Sequence, residues 1–117
     1  MRTVTQTITL GDGSGRPGNC LQAAVASLLD LDLGDVPHFI ECPVDEDWLE
    51  RLVAFGAEHG YRVVYRGEPV AFGLAFGRSP RDAAHAVVVI DGEIVWDPHP
   101  SRDGLVSVSN YVEWSRA

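Results

Sequence analysis

Gly18-Asn19-Cys20-Leu21-Gln22-Ala23-Ala24-Val25-Ala26-Ser27-Leu28-Leu29 is the stretch from which the rest of the chain is read. A Gly-, Ser- and Pro-rich loop (11–18) runs into Asn19, whose side-chain type accepts hydrogen bonds from the unpaired N–H groups of a helix's first turn. Leu21, Ala24, Val25 and Leu28 recur at i, i+3, i+4 and i+7, which lays one apolar stripe of a helix against a core. The pattern predicts a buried helix that begins at Cys20. Free N–H groups and the positive end of the helix dipole favour an anion there. The thiolate is the nucleophilic form of cysteine, so the position is expected to lower the Cys20 pKa from an ordinary value of roughly 8.5. A lone cysteine also serves as a small buried hydrophobe, and the helix start alone does not separate the two roles.

Working outward, Thr3 to Leu10 alternates loosely and reads as a short strand or an extended arm. The glycines of the 11–18 loop lack the Lys-Ser/Thr pair of a phosphate loop, so that reading fails. After the first helix, Leu33-Gly34-Asp35-Val36 makes a short turn stopped by Pro37, with His38 and Phe39 on the loop beyond. A second helix is expected from Asp45 to about His59, burying Trp48, Leu49, Leu52 and Phe55 and ending at Gly60. Tyr61 to Arg66 is a strand, and Val70 to Phe76 another, weakened by Gly73. Ala84 to Ile90 and Glu93 to Asp97 flank Asp91-Gly92 as a hairpin. Leu105 to Val108 reads as a further strand, and Tyr111 to Trp114 as a last extended piece or short helix. Helices first and strands afterwards make an α+β fold with a mainly antiparallel sheet.

At 117 residues the chain is expected to form a single domain over residues 1–117. Hydrophobic content of 45% with 22% charged residues is ordinary globular composition. Nine basic residues against seventeen acidic give a net charge of −8, which argues against a nucleic-acid partner. No apolar run approaches the ~20 residues of a membrane span, and the first residues lack the apolar core of an export signal. A cytoplasmic location with no membrane partner is the expectation. Cys20 and Cys42 are then expected to stay reduced.

Cys20 becomes a catalytic candidate through His85 and Asp97. A cysteine nucleophile needs an imidazole within reach, and the imidazole needs a third group to fix its orientation. Neighbouring antiparallel strands can present such a pair side by side, and the register decides whether they do. A two-residue turn at Asp91-Gly92 sets His85 opposite Pro98 and turns Asp97 to the other face. A three-residue loop closed by a left-handed Gly92 sets His85 opposite Asp97. The catalytic reading therefore expects the three-residue loop. Cys20, His85 and His99 as a zinc site is disfavoured, because no closely spaced ligand pair is present. Neither a metal nor any other cofactor is expected.

Taken together, Gly18-Asn19-Cys20-Leu21-Gln22-Ala23, Val36-Pro37-His38-Phe39 and His85-Ala86-Val87-Val88-Val89 with Asp97-Pro98-His99-Pro100-Ser101 resemble the short papain-like cysteine hydrolases of bacteria and their phages. These are relatives of the NlpC-type cell-wall amidases and of the leader peptidases on bacteriocin exporters. The likeness runs from Gln6 to Ser101. It implies a Cys-bearing helix packed on a mainly antiparallel sheet that carries the His and the Asp. It also implies a covalent acyl-enzyme formed from a peptide, amide or acyl substrate, with Cys20 attacking, His85 moving the proton and Asp97 orienting the ring. The family's oxyanion donors are the Cys N–H and a Gln side chain a few residues upstream. The glycine loop occupies that place here, which leaves Gln6 first and Gln22 second. His99, His38, Asn19 and Trp96 are the candidate substrate contacts. A papain-like module that only binds a partner through the same cleft is the alternative, and nothing in the sequence states the oligomeric state.

Overall fold

The computed structural model describes residues 1–9, 13, 18–40 and 47–117. The architecture is α+β. Helix α1 (Cys20–Leu28) is followed by a short 3₁₀ turn at Leu33–Asp35, helix α2 (Trp48–Glu58), and strands β1 (Tyr61–Arg66), β2 (Phe72–Arg78), β3 (Ala84–Ile90), β4 (Glu93–Trp96) and β5 (Ser107–Arg116). The strands form one sheet in the order β1-β5-β2-β3-β4, with every pairing antiparallel.

Leu21, Ala24, Val25 and Leu28 are all buried, as the apolar stripe requires, and Ala23, Ala26 and Ser27 are buried as well. Ser27 is tolerated inside because its hydroxyl donates to Ala23 O at 2.8 Å and accepts from Val4 N at 3.0 Å. Both helices contribute to one core against Val63, Leu74, Ala86, Val88, Val112 and Trp114 of the sheet. A smaller cluster of Ala75, Val87 and Val89, with Leu105 and Tyr111 against it, covers the opposite face.

Several boundaries differ from the sequence reading. α2 begins at Trp48 because the Asp47 carboxylate accepts the Leu49 N–H at 2.9 Å; Asp45 lies outside the described residues. The two pieces expected after Leu105 are one continuous strand, β5. Residues 1–9 form no strand but an arm pinned by Arg2 N–H to Ser27 O, Val4 N–H to Ser27 Oγ and Gln6 N–H to Pro98 O, and Leu10 lies outside the described residues. Gly77 in β2 answers a close approach. A Cβ on it would stand 1.9 Å from the Ser107 carbonyl oxygen of β5, so a strand with a side chain there has to move away.

The hairpin corrects the expected loop. Ile90 pairs with Glu93 across a two-residue turn, in which Asp91 and Gly92 both have positive φ (54° and 79°). That is the turn whose twist matches antiparallel strands, and it needs left-handed residues at both central positions. Val89 pairs with Ile94, but Val88 pairs with Trp96, so Val95 is left over as a bulge. The extra residue reverses the side-chain alternation of everything after it. Asp97 therefore shares the face of His85 through a bulge in β4, not through a longer loop.

Candidate active site

Cys20 opens α1 and lines a cavity of about 460 Å³ together with Gln6, Leu21, Trp48, Phe76, Arg81, His85 and His99. A cavity of this size and largely apolar lining suits a small ligand or one side chain of a larger one. Trp48 and Phe76 form its aromatic wall, with ring centres 5.5 Å apart.

His85 and Asp97 meet inside the protein. His85 Nε2 lies 2.5 Å from Asp97 Oδ1, and both side chains are almost fully buried. The carboxylate accepts two further bonds, from His99 N–H to Oδ1 at 2.9 Å and from Gly104 N–H to Oδ2 at 2.7 Å. Burial pushes the Asp97 carboxyl up. The hydrogen bonds from His85, His99 and Gly104, with the charge of His85, pull it down further and leave it below its ordinary value. Asp97 is thus an ionised anchor for the imidazole. Arg102 braces the same loop, donating to Asp97 O at 3.0 Å, to His99 O at 2.7 Å and to Thr5 Oγ1 at 2.7 Å while lying over the Trp96 ring.

With Nε2 held by the carboxylate, Nδ1 is the His85 nitrogen left for the cavity. No hydrogen bond joins the Cys20 thiol to it in this state. The thiol sits instead against the backbone N–H of Ala86, the residue after His85. Burial raises the Cys20 pKa above its ordinary value, and the nearby Asp97 charge adds to the rise. The N–H groups of Ala86, Leu21 and Cys20 itself pull the other way without prevailing. This overturns the expectation of a lowered pKa. The helix terminus does offer its N–H groups, but removing the sulfur from water costs the thiolate more than they return.

A measurable pH dependence follows. Thiolate is the form that iodoacetamide alkylates. The rate at Cys20, followed by peptide mass spectrometry, is expected to go on rising with pH past the point where a free cysteine levels off. A plateau in the neutral range would contradict this and indicate a resting thiolate–imidazolium pair.

The remaining candidates separate. His99 lines the cavity, with its ring 6.1 Å from that of His85 and roughly perpendicular to it. Gln6 also lines it, with Nε2 donating to Ile8 O at 2.8 Å. Gln22 does not serve as an oxyanion donor, because both hydrogens of its Nε2 go to the carbonyls of Leu33 (3.0 Å) and Val36 (2.8 Å). Asn19 stands at the N-cap position of α1, but its side chain makes no capping bond and is buried away from solvent. Its buried Oδ1 accepts the N–H groups of Thr7 and Ile8, and Nδ2 donates to Thr7 Oγ1 and Gln22 Oε1, which ties the arm to α1. Trp96 stands outside the cavity wall, donating Nε1–H to Val4 O. His38 is likewise not part of that wall, and Cys42 lies outside the described residues.

Sequence reasoning missed Trp48 and Phe76 as cavity walls, since at helical or strand spacing they read as core. It missed Arg81 and Arg102 altogether, because a lone arginine in a loop carries no periodicity. No helix among the described residues is long and apolar enough to cross a membrane. No protein-family model, no curated protein and no solved structure matches the chain.

Proposed function

We propose that the chain is a papain-like, thiol-dependent hydrolase or acyltransferase acting on an amide, peptide or thioester bond. One observation carries the reading: a buried imidazole, clamped through Nε2 by an ionised carboxylate, lines the same apolar cavity as a cysteine at a helix N-terminus. Nucleophile, base and orienting group are the parts that covalent acyl transfer requires.

In this reading Cys20 Sγ attacks the substrate carbonyl as His85 Nδ1 takes the thiol proton. Because burial holds Cys20 as a thiol, the proton moves during attack and not beforehand. Asp97 keeps the ring in place and balances the charge of the imidazolium. The backbone N–H of Cys20 stabilises the developing oxyanion. His85 then returns the proton to the leaving group, and water or an amine releases the acyl group.

The raised thiol also lends weight to a second reading, a papain-like module that binds a ligand in the cavity without turning it over. Incubation with p-nitrophenyl acetate separates the two. A burst of p-nitrophenolate and an acetyl group on the Cys20 peptide are expected. The chain contains no lysine, so the common competing acceptor of acetyl groups is missing. A protein that gains no acetyl group at Cys20 is not an acyl-transfer enzyme of this kind.

A further inference from the structure

Acyl transfer through Cys20 is faster with a second hydrogen-bond donor for the oxyanion besides the Cys20 N–H. Gln22 has spent both amide hydrogens on Leu33 and Val36, and Gln6 has spent one on Ile8. We propose that His99 is that donor, a neutral imidazole that presents Nε2–H to the substrate oxygen which turns negative as Cys20 attacks. The inference rests on the proposed function and adds a catalytic residue to it.

The tautomer follows from the backbone. The Ser101 N–H donates to His99 Nδ1 at 3.0 Å, and an N–H can be accepted only by an unprotonated ring nitrogen. The proton of the neutral ring is therefore on Nε2. Ser101 Oγ, 2.9 Å from the same Nδ1, is itself held by Arg81 at 2.8 Å, which fixes the ring further. Among the described residues nothing accepts from Nε2, and His99 lines the cavity together with Cys20 and His85.

His99 also stays uncharged. Burial disfavours its cation, as do the charges of Arg81 and His85, and the opposing carboxylates of Asp97 and Asp103 do not reverse this. Protonation would moreover set an Nδ1–H against the Ser101 N–H. A ring that resists a second proton does not compete with His85 for the thiol hydrogen. The two imidazoles thus divide the work: His85 moves the proton, and His99 polarises the carbonyl.

Two reactions of the one sulfur test the assignment. With p-nitrophenyl acetate, the Cys20 S–C bond forms as the carbonyl π pair moves onto oxygen and the thiol proton goes to His85. The oxyanion then collapses and expels p-nitrophenolate. With iodoacetamide, sulfur displaces iodide and no oxyanion arises. His99→Phe is expected to slow acetylation of Cys20 by about 10²–10³-fold, the usual effect of removing one oxyanion donor, while alkylation stays within about twofold. His99→Gln, which restores an N–H, is expected to recover part of the acetylation rate. Unchanged acetylation in His99→Phe overturns the proposal, and so does an equal fall in both reactions, which marks a structural role. A wild-type protein that is alkylated but never acetylated at Cys20 defeats the acyl-transfer reading itself, and the role of His99 falls with it.

Discussion

Cys20→Ala is expected to remove the acetyl adduct and the p-nitrophenolate burst completely, leaving only the solution reaction. Where a nucleophile and its base act as a unit, loss of the nucleophile costs on the order of 10⁶-fold in turnover. The fold should survive. Alanine is the best helix former, and the substitution removes only the sulfur at the first position of α1. A thermal midpoint within a few degrees of wild type, with no adduct, is the expected pair of results. Cys42→Ala is expected to keep most of the burst. Cys42 is followed closely by Asp45, Glu46 and Asp47, and nearby negative charge raises a thiol's pKa and lowers its reactivity. Equal loss in the two variants would indicate a disulfide or a shared metal and contradict the nucleophile assignment.

Asp97 carries the second large effect, and the structure makes it both a stability and an activity prediction. Its carboxylate accepts from His85 Nε2, His99 N–H and Gly104 N–H. Asp97→Ala strands all three donors, and breaking a buried pair in this way costs on the order of 3–5 kcal/mol. Asp97→Asn can still accept on one oxygen, but its NH₂ group must then face a donor that formerly met the other oxygen. Oriented toward His85 and His99, it confronts Gly104. A loss of about 1–3 kcal/mol in stability is expected for that clash. A roughly tenfold fall in acetylation rate, about 1.4 kcal/mol in barrier, follows from losing the charge opposite the imidazolium. Chemical denaturation and burst rates measure the two separately. An Asn variant equal to wild type in both would make Asp97 a turn residue only.

The lowered Asp97 pKa also sets a direction in pH. A carboxyl that holds its proton less tightly when folded than when unfolded stabilises the fold at pH above its unfolded value. That contribution is lost as pH falls through the folded value, because protonation then favours the unfolded chain. Asp97→Asn should therefore lose less stability than wild type between neutral and strongly acidic pH.

The α+β order, both helices, the hairpin and the Cys20, His85 and Asp97 trio were legible in the sequence because each leaves a local trace. The α1 stripe repeats at helical spacing, and the β3 run Ala86-Val87-Val88-Val89 is unmistakably strand. What decides how the parts meet was not local. The Val95 bulge has no composition signal, since Val is as good a strand residue paired as unpaired, yet it alone brings Asp97 to the His85 face. Asn19 looked like a cap because its type caps helices. Its actual partners, Thr7 and Ile8, became available only when the arm folded back. The Cys20 thiol was misjudged for the same reason. The helix terminus is visible in the sequence, whereas the depth of burial depends on everything packed over it.

The sheet order carries a consequence for how the molecule comes into being. β5 is made after the other four strands, yet it lies between β1 and β2, which are consecutive in the chain. A nascent chain that has emerged just past β4 holds Cys20, His85 and Asp97 but has a gap through the middle of its sheet. The pairings that close it join residues as far apart as Tyr61 and Arg116. Contacts this distant in sequence form slowly, because the loop entropy is spent before they hold. The arm behaves alike, with Trp96 donating to Val4 across 92 positions. Closure of the sheet is thus a late event in which the final strand slots into place, and a growing chain carries Cys20, His85 and Asp97 before the sheet that seats them is complete.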